Sequence, residues 1–284
     1  MNYYIIIPAY NEEKNIELTL NSILKQTLLP KKIIVVNDNS TDRTAEIINN
    51  FSNKYEFIKV KTTNSEQIHL PGSKIIQAFN IGLEALDENY DFIVKLDADL
   101  ILPENYFERM STIFNENPKV GIAGGRAFIE KNRKWILENL TNDDHVRGAF
   151  KSYRKQCFVE IGKLKPEMGW DTLDEFLARY YGWKVIVDAS LEVKHLKSTG
   201  STYNLSSRHK QGEAFYRLGY GFLLTFLASL KLALKKRKPL LFFDYLKGFF
   251  TAKFTKKTLL VTVKQARFIR SYRWRKIKKK LFGF

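Results

Sequence analysis

Phe92-Ile93-Val94-Lys95-Leu96-Asp97-Ala98-Asp99 is the stretch on which the fold turns. A run that is apolar but for one lysine stops at two carboxylates, which predicts a buried strand with an acidic pair at its mouth. Carboxylates two apart at a strand end can project to the same side, and a hard cation held by them completes its shell with phosphate oxygens and water. That chemistry suits a nucleoside diphosphate. Alone, Asp97-Ala98-Asp99 also fits a solvated surface turn.

Two upstream stretches have the same grammar: Tyr3-Tyr4-Ile5-Ile6-Ile7-Pro8-Ala9-Tyr10-Asn11-Glu12-Glu13 and Lys32-Ile33-Ile34-Val35-Val36-Asn37-Asp38-Asn39-Ser40-Thr41-Asp42. Three apolar runs ending in polar residues, each followed by a helix-period segment, predict β-α units of a parallel sheet. Ligands of such sheets bind at the carboxyl ends of the strands, so the polar clusters share one edge. In this order, Pro-Ala-Tyr-Asn-Glu-Glu, Val-Asn-Asp-Asn-Ser-Thr-Asp and Asp-Ala-Asp resemble glycosyltransferase family 2 with its GT-A fold. The resemblance implies an α/β architecture, a Rossmann-like mixed, mainly parallel sheet flanked by helices.

It also implies roles for residues. By similarity to the family, the loop after the first strand and the acid of the second polar cluster hold the nucleoside, which points to Pro8, Ala9, Tyr10, Glu12 and Asp38. Asn37 departs from the family's usual first aspartate, while Asp38 keeps a carboxylate able to accept a base N–H. Lys74, in Gly72-Ser73-Lys74, resembles the basic residue that approaches the nucleotide, and equally fits a solvated lysine at a helix end. Gly124-Gly125 and Arg147-Gly148-Ala149 resemble, more loosely, segments flanking the sugar pocket. Asp97, Ala98 and Asp99 resemble the family's metal and ribose-diphosphate site, with Mn²⁺ or Mg²⁺ as the cation and a UDP or GDP sugar as donor. His195 is the third metal-ligand candidate, because relatives use a histidine there; it also fits a polar residue at a strand end.

A second acidic cluster is Gly169-Trp170-Asp171-Thr172-Leu173-Asp174-Glu175. Leu173, Phe176, Leu177 and Tyr180 fall at i, i+3, i+4 and i+7, which predicts a helix from near Thr172 with Asp171 at its N-cap. Capping and dipole stabilisation account for these carboxylates without catalysis. Alternatively, one of Asp171, Asp174 and Glu175 takes the proton from an acceptor hydroxyl. Family members carry a Glu-Asp pair at such a helix start; counting back from Gly182, the resemblance favours Asp171 as the base, with Trp170 where the glutamate would stand. Strands are expected from Trp183 to Val187 and from Leu191 to Lys194. Arg208, His209 and Lys210 are expected in a loop, meeting a diphosphate or water.

Charge divides the chain of 284 residues unevenly. Lys231 to Phe284 carries 18 Lys and Arg against one acid, Asp244, whereas residues 1–230 balance at 29 against 29, so the whole net charge of +17 lies in the tail. A GT-A domain is expected over residues 1–204 and a basic amphipathic helical region over 205–284. The apolar run Leu218 to Leu230 is too short for a bilayer-spanning helix, which needs about 20 residues. With basic and aromatic residues interleaved after it, the region suits an anionic membrane interface. Nucleic acid is the rival partner for such a pattern.

Cys157 is the sole cysteine, and Met1-Asn2-Tyr3-Tyr4 offers no positive segment ahead of Ile5-Ile6-Ile7. A cytoplasmic protein peripheral to the inner face of the membrane is therefore expected. Together with the resemblance, these features imply an inverting, metal-dependent glycosyltransferase of polysaccharide biosynthesis acting on a hydroxyl of a lipid-linked or cell-surface glycan. A polyprenyl-phosphate acceptor is the alternative within the class, and a nucleic-acid-binding protein the non-enzymatic one. A sugar-nucleotide nucleotidyltransferase would need a Gly-rich, basic triphosphate loop where this chain has Pro8-Ala9-Tyr10-Asn11-Glu12-Glu13, whose acids repel a triphosphate.

Overall fold

The structure, a computed structural model, describes residues 1–63, 72–138, 144–197 and 208–283. In chain order its elements are β1 (Tyr3–Ala9), α1 (Ile16–Leu24), β2 (Lys32–Asp38), α2 (Thr44–Lys54), β3 (Ile58–Thr63), α3 (Ser73–Glu84), β4 (Phe92–Leu96), β5 (Leu100–Ile101), α4 (Tyr106–Glu116) and β6 (Val120–Lys131). There follow β7 (Lys134–Leu137), β8 (Phe150–Arg154), α5 (Lys155–Glu160), α6 (Trp170–Tyr180), β9 (Lys184–His195), α7 (Arg208–Arg217), α8 (Gly221–Lys235), α9 (Leu240–Phe254) and α10 (Val263–Phe282). Two compact units result, Met1–Pro166 with Tyr181–Ser201, and Glu167–Tyr180 with Thr202–Phe284. The boundary expected at 204 lies outside the described residues. The segment 167–180, expected within the first domain, belongs to the second unit.

The first unit is built on a sheet of order β3-β2-β1-β4-β8-β6-β9-β5, with β7 on β6. Strands β3, β2, β1 and β4 are parallel, while β8 runs antiparallel to both β4 and β6. This is the mixed α/β sheet of the GT-A fold. Strand β1 is buried along its whole length because both faces are covered, which is why its sequence is continuously apolar rather than alternating. On one face Tyr3, Ile5 and Ile7 join Ile33, Val35, Phe92 and Val94 against Ile16, Leu20 and Ile23 of α1 and Phe107, Met110 and Phe114 of α4. On the other, α3 lies so close that a Cβ at Gly82 would sit 2.6 Å from Ile6 Cγ2 and 2.9 Å from Val36 Cγ2. Each aliphatic side chain so buried contributes about 1.5–3 kcal/mol.

The two strands expected between Trp183 and Lys194 are one, the 12-residue β9. Its register against β6 slips between Val187↔Gly124 and Glu192↔Arg126. There a Cβ on Gly125 would fall 2.4 Å from the Leu191 carbonyl oxygen, so the irregularity requires that glycine. Hydrophobic alternation continues across such a slip only in the folded sheet, which is why the sequence suggested a break.

The second unit is helical. Helices α7 and α9 cross backbone to backbone: a Cβ on Gly212 would lie 1.7 Å from the Tyr245 carbonyl oxygen, and one on Gly248 1.9 Å from that of His209. Arg217 clasps Glu167 through two hydrogen bonds, Nη1–Oε2 at 2.6 Å and Nη2–Oε1 at 2.9 Å. Thr262 and Gln265 form a reciprocal capping box at the start of α10. Arg208, His209 and Lys210, expected in a loop, begin α7 instead, where the crossing with α9 stabilises helix despite a polar sequence. Among the described residues, no helix is long and apolar enough to cross a membrane.

Candidate active site

Strands β2, β1 and β4 are neighbours in the sheet and parallel, so their carboxyl ends deliver three loops to one edge. Pro8 and Ala9 close β1 opposite Val36 and Asn37, and exposed Tyr10 follows. The first two loops are tied together by hydrogen bonds. Asn11 N donates to Ser40 Oγ at 3.1 Å, Thr41 N to Asn11 Oδ1 at 2.8 Å, and Glu12 N to Thr44 Oγ1 at 2.7 Å. Asn11 and Asn39 take φ of 52° and 57°, a left-handed conformation that asparagine tolerates best after glycine. At the end of β2, Asp38 is buried, and its Oδ1 has no hydrogen-bond partner among the described residues. A buried acceptor of this kind takes a hydrogen bond from solvent or from a ligand. Lys74 lies in the first turn of α3, just after Gly72.

Asp97, Asp99 and His195 converge. Their ligand atoms lie within 4.8 Å of one another, and His195 Nε2 is 3.4 Å from Asp99 Oδ2. Pairing of β5 with β9, which sets Leu100 opposite His195, brings the histidine there. Asp97 N donates to the Ala149 carbonyl at 2.7 Å, and Leu196 N to that of Asp99 at 2.9 Å. Two carboxylates and an imidazole at this spacing form an oxygen- and nitrogen-donor set that a divalent cation takes. The residues present therefore fit the implied metal. His195 Nδ1 is buried with no hydrogen-bond partner among the described residues, leaving a ring nitrogen unassigned.

One polar face of α1 holds the acidic turn in place. Thr19 Oγ1 donates to the Ala98 carbonyl at 2.8 Å and accepts from Leu100 N at 3.0 Å. Three residues on, Ser22 Oγ accepts from Leu102 N at 3.3 Å, and one turn further Gln26 bonds Pro103 O at 2.8 Å and Phe107 N at 3.2 Å. Thr19 and Ser22, at i and i+3, share one face of α1, and Gln26 follows just past the end of the helix. A second support comes from below, where the buried Lys95 pairs its ammonium with Asp97 Oδ1.

These charges act on one another. Burial raises the Asp97 pKa and Asp99 raises it further, while Lys95 opposes both. For His195 burial favours the neutral ring, but the Asp99, Asp97 and Glu138 carboxylates outweigh it and hold the pKa above its ordinary value. Glu12 is raised chiefly by burial; its carboxylate accepts from Asn15 at 2.8 Å and pairs with Lys197 at 2.6 Å. Glu138 forms a buried ion pair with Arg147 at 2.5 Å.

The second unit carries the other acidic cluster on α6. Asp171 is not the N-cap: the helix begins at Trp170, and Leu173 N bonds the carbonyl of Gly169, whose φ is +83°. Asp171 therefore lies in the first turn of the helix. Asp174 and Glu175 are both buried, and Glu175 pairs with Arg179 one turn later at 3.0 Å. Asp171 lies close enough to Tyr220 to oppose ionisation of that phenol, which burial already disfavours.

Sequence reasoning missed Thr19, Ser22, Gln26, Lys95, Lys197 and the Glu138–Arg147 pair. For Thr19 and Ser22 a signal existed, two hydroxyl residues at i and i+3 on the helix face shared with Ile16, Leu20 and Ile23. Lys197 lies far from its partner Glu12 in sequence, whereas Lys95 and Asp97, and Glu138 and Arg147, are near neighbours whose pairing is set by burial in the fold.

Residues 4–166 match the model of Glycosyl transferase family 2. Among curated proteins, the poly-beta-1,6-N-acetyl-D-glucosamine synthase of Staphylococcus epidermidis is 26% identical over 186 residues, covering 59% of this chain and 41% of the relative. The chain thus spans about two fifths of the length of that relative. Among solved structures, S. aureus TarS 1-349 in complex with UDP-GlcNAc superposes with a TM-score of 0.58 at 19% identity, over 92% of this chain and 77% of the other. The mannosyltransferase PcManGT from Pyrobaculum calidifontis, in complex with GDP-Man and Mn²⁺, superposes with a TM-score of 0.57 at 14% identity, over 98% and 81%.

Proposed function

The chain belongs to glycosyl transferase family 2, and from that premise we propose that it moves a sugar from a nucleoside diphosphate sugar to a hydroxyl of a lipid-linked or cell-surface glycan, with inversion. The observation that carries the reading is the convergence of Asp97, Asp99 and His195 within 4.8 Å at the edge where β1 and β2 also end. The two carboxylates and the imidazole would hold Mn²⁺ or Mg²⁺, which when bound supplies positive charge for a departing diphosphate. Pro8, Ala9, Tyr10 and Glu12 form the wall for the nucleoside, with the unpartnered Asp38 Oδ1 accepting a base N–H. Lys74 supplies a cation for the phosphates. Asp171 takes the proton of the acceptor hydroxyl as its oxygen attacks the anomeric carbon, and the bond to the diphosphate breaks on the opposite face.

UDP-N-acetylglucosamine is the donor to test first, because two of the similar proteins carry that sugar or sugar nucleotide in their names. Peripheral attachment to the inner face of an anionic membrane is supported by the 18 basic residues against one acid beyond Leu230. The test is a screen of UDP and GDP sugars for nucleotide release with Mn²⁺, repeated in EDTA. Release from one donor, lost on chelation, is the expected result. Pyrophosphate from a sugar phosphate and a nucleoside triphosphate, with no release from any nucleotide sugar, would replace transfer by nucleotidyl chemistry.

A further inference from the structure

Helix α8 is inside out for a water-soluble helix. It buries one leucine, Leu224, with the small or hydroxyl residues Thr225, Ala228, Ser229 and Ala233, while Phe222, Leu223, Phe226, Leu227, Leu230 and Leu234 are exposed, Leu223 by 65% and Leu234 by 68%. In water a helix turns its bulky apolar residues inward; helices in lipid do the reverse, packing on small and hydroxyl residues and showing bulk to the surroundings. The α7–α9 crossing at Gly212 and Gly248 has the same small-residue character. Across the α8–α9 seam the apolar surface is continuous: Phe222 lies 5.6 Å from Phe250 and Phe226 5.2 Å from Phe242, ring centre to ring centre, and Phe243 and Phe254 extend it on α9.

Length and charge specify the occupant. At 15 residues α8 is about 22 Å long, short of the ~30 Å hydrocarbon core. Its first ten residues carry no charge, and its end bears exposed Lys235, Lys236, Arg237 and Lys238. An apolar ridge finishing in a cationic cluster matches a bilayer interface with anionic headgroups, and only poorly a second copy that would bring its own cations. We propose that the α8–α9 face inserts into the interfacial layer of the anionic leaflet it attaches to, with the lysine cluster at the headgroups, as a monotopic anchor. It rests on the membrane attachment inferred above, and adds which side chains enter the lipid.

Vesicles of phosphatidylcholine with about one quarter phosphatidylglycerol test this on the full chain, by co-sedimentation from low salt to about 0.5 M. The wild type should keep a salt-resistant bound fraction. A variant carrying Leu223→Gln, Leu227→Gln and Leu234→Gln, all exposed positions, should melt like the wild type and bind at low salt, but lose at least about tenfold in affinity at high salt. Because Cys157 is the sole cysteine and is buried, a dye on Leu223→Cys reports this face selectively, and its emission should shift to the blue on vesicles. Salt-resistant binding equal to wild type, or an unshifted dye on bound protein, overturns the insertion face and leaves membrane attachment standing. A wild type that ignores the vesicles overturns both. A wild-type dimer that the triple variant does not form, with no dye shift, assigns the face to a second copy instead.

Discussion

Lys95 shows how closely support and chemistry are joined at single residues. Its ammonium is buried beneath the acidic turn and pairs with Asp97, so removing it leaves a carboxylate without its cation beside Asp99. Lys95→Met should destabilise the protein by ~3 kcal/mol, the scale for breaking one side of a buried pair, as read by urea unfolding. A loss below ~1 kcal/mol would mean that the pair contributes little. Asp99→Ala should abolish both donor turnover and Mn²⁺ binding followed by calorimetry, with unchanged circular dichroism; Mn²⁺ binding at wild-type affinity would remove Asp99 from the metal site. For α6, Asp171→Asn separates catalysis from structure. As the proton acceptor it should lose ~10² or more in transfer while still binding donor. A first-turn aspartate serving only the helix dipole would instead cost ~0.3–1 kcal/mol of stability and little rate.

Among elements, α1 does more than cover the sheet. Thr19 and Ser22 on its polar face, with Gln26 just past its end, satisfy backbone groups from Ala98 to Phe107, which fixes the turn presenting Asp97 and Asp99. Thr19→Val keeps the shape and deletes two buried hydrogen bonds, so it should cost ~1–3 kcal/mol by thermal or urea unfolding. If Thr19 also positions the acidic pair, Mn²⁺ affinity falls together with stability; unaltered affinity would confine it to a structural role. At the α7–α9 crossing, a single methyl group at Gly212 meets backbone rather than a yielding side chain. Gly212→Ala should therefore force the two helices apart and lower the melting temperature of the second unit, measured by calorimetry. An unchanged transition would show that the helices separate without loss.

At the scale of the whole molecule, the charge is partitioned: residues 1–230 are balanced, and the excess of +17 follows. A cut after Leu230 would sever α8 and remove α9, on which α7 packs, so the charge is better tested by substitution. Lys278→Gln, Lys279→Gln and Lys280→Gln, exposed on α10, should together lower binding to phosphatidylglycerol vesicles at low salt by up to about 1 kcal/mol per residue, without altering nucleotide-sugar hydrolysis. Oligonucleotide binding that outcompetes vesicles at matched salt would favour the nucleic-acid alternative.

Sequence alone determined three of the four parallel strands, because strands buried on both faces read as largely apolar runs, as in Tyr3–Ala9, Lys32–Asp38 and Phe92–Leu96; β3 at the sheet edge, Ile58–Thr63, is mostly polar and escapes that reading. Sequence also located the acidic turn and the uneven charge, since both are properties of local composition. Asp171 at a cap and a loop at Arg208–Lys210 were misjudged from the same local signals: the helix begins one residue earlier, at Trp170, and the α7–α9 crossing overrides polarity. Only the tertiary structure decided that His195, a ligand candidate by resemblance alone, meets Asp97 and Asp99, and that α8 turns its bulk outward. Each of these depends on register, crossing or burial between segments distant in the chain, and hydrophobic periodicity says which face of an element is apolar but not what that face will meet.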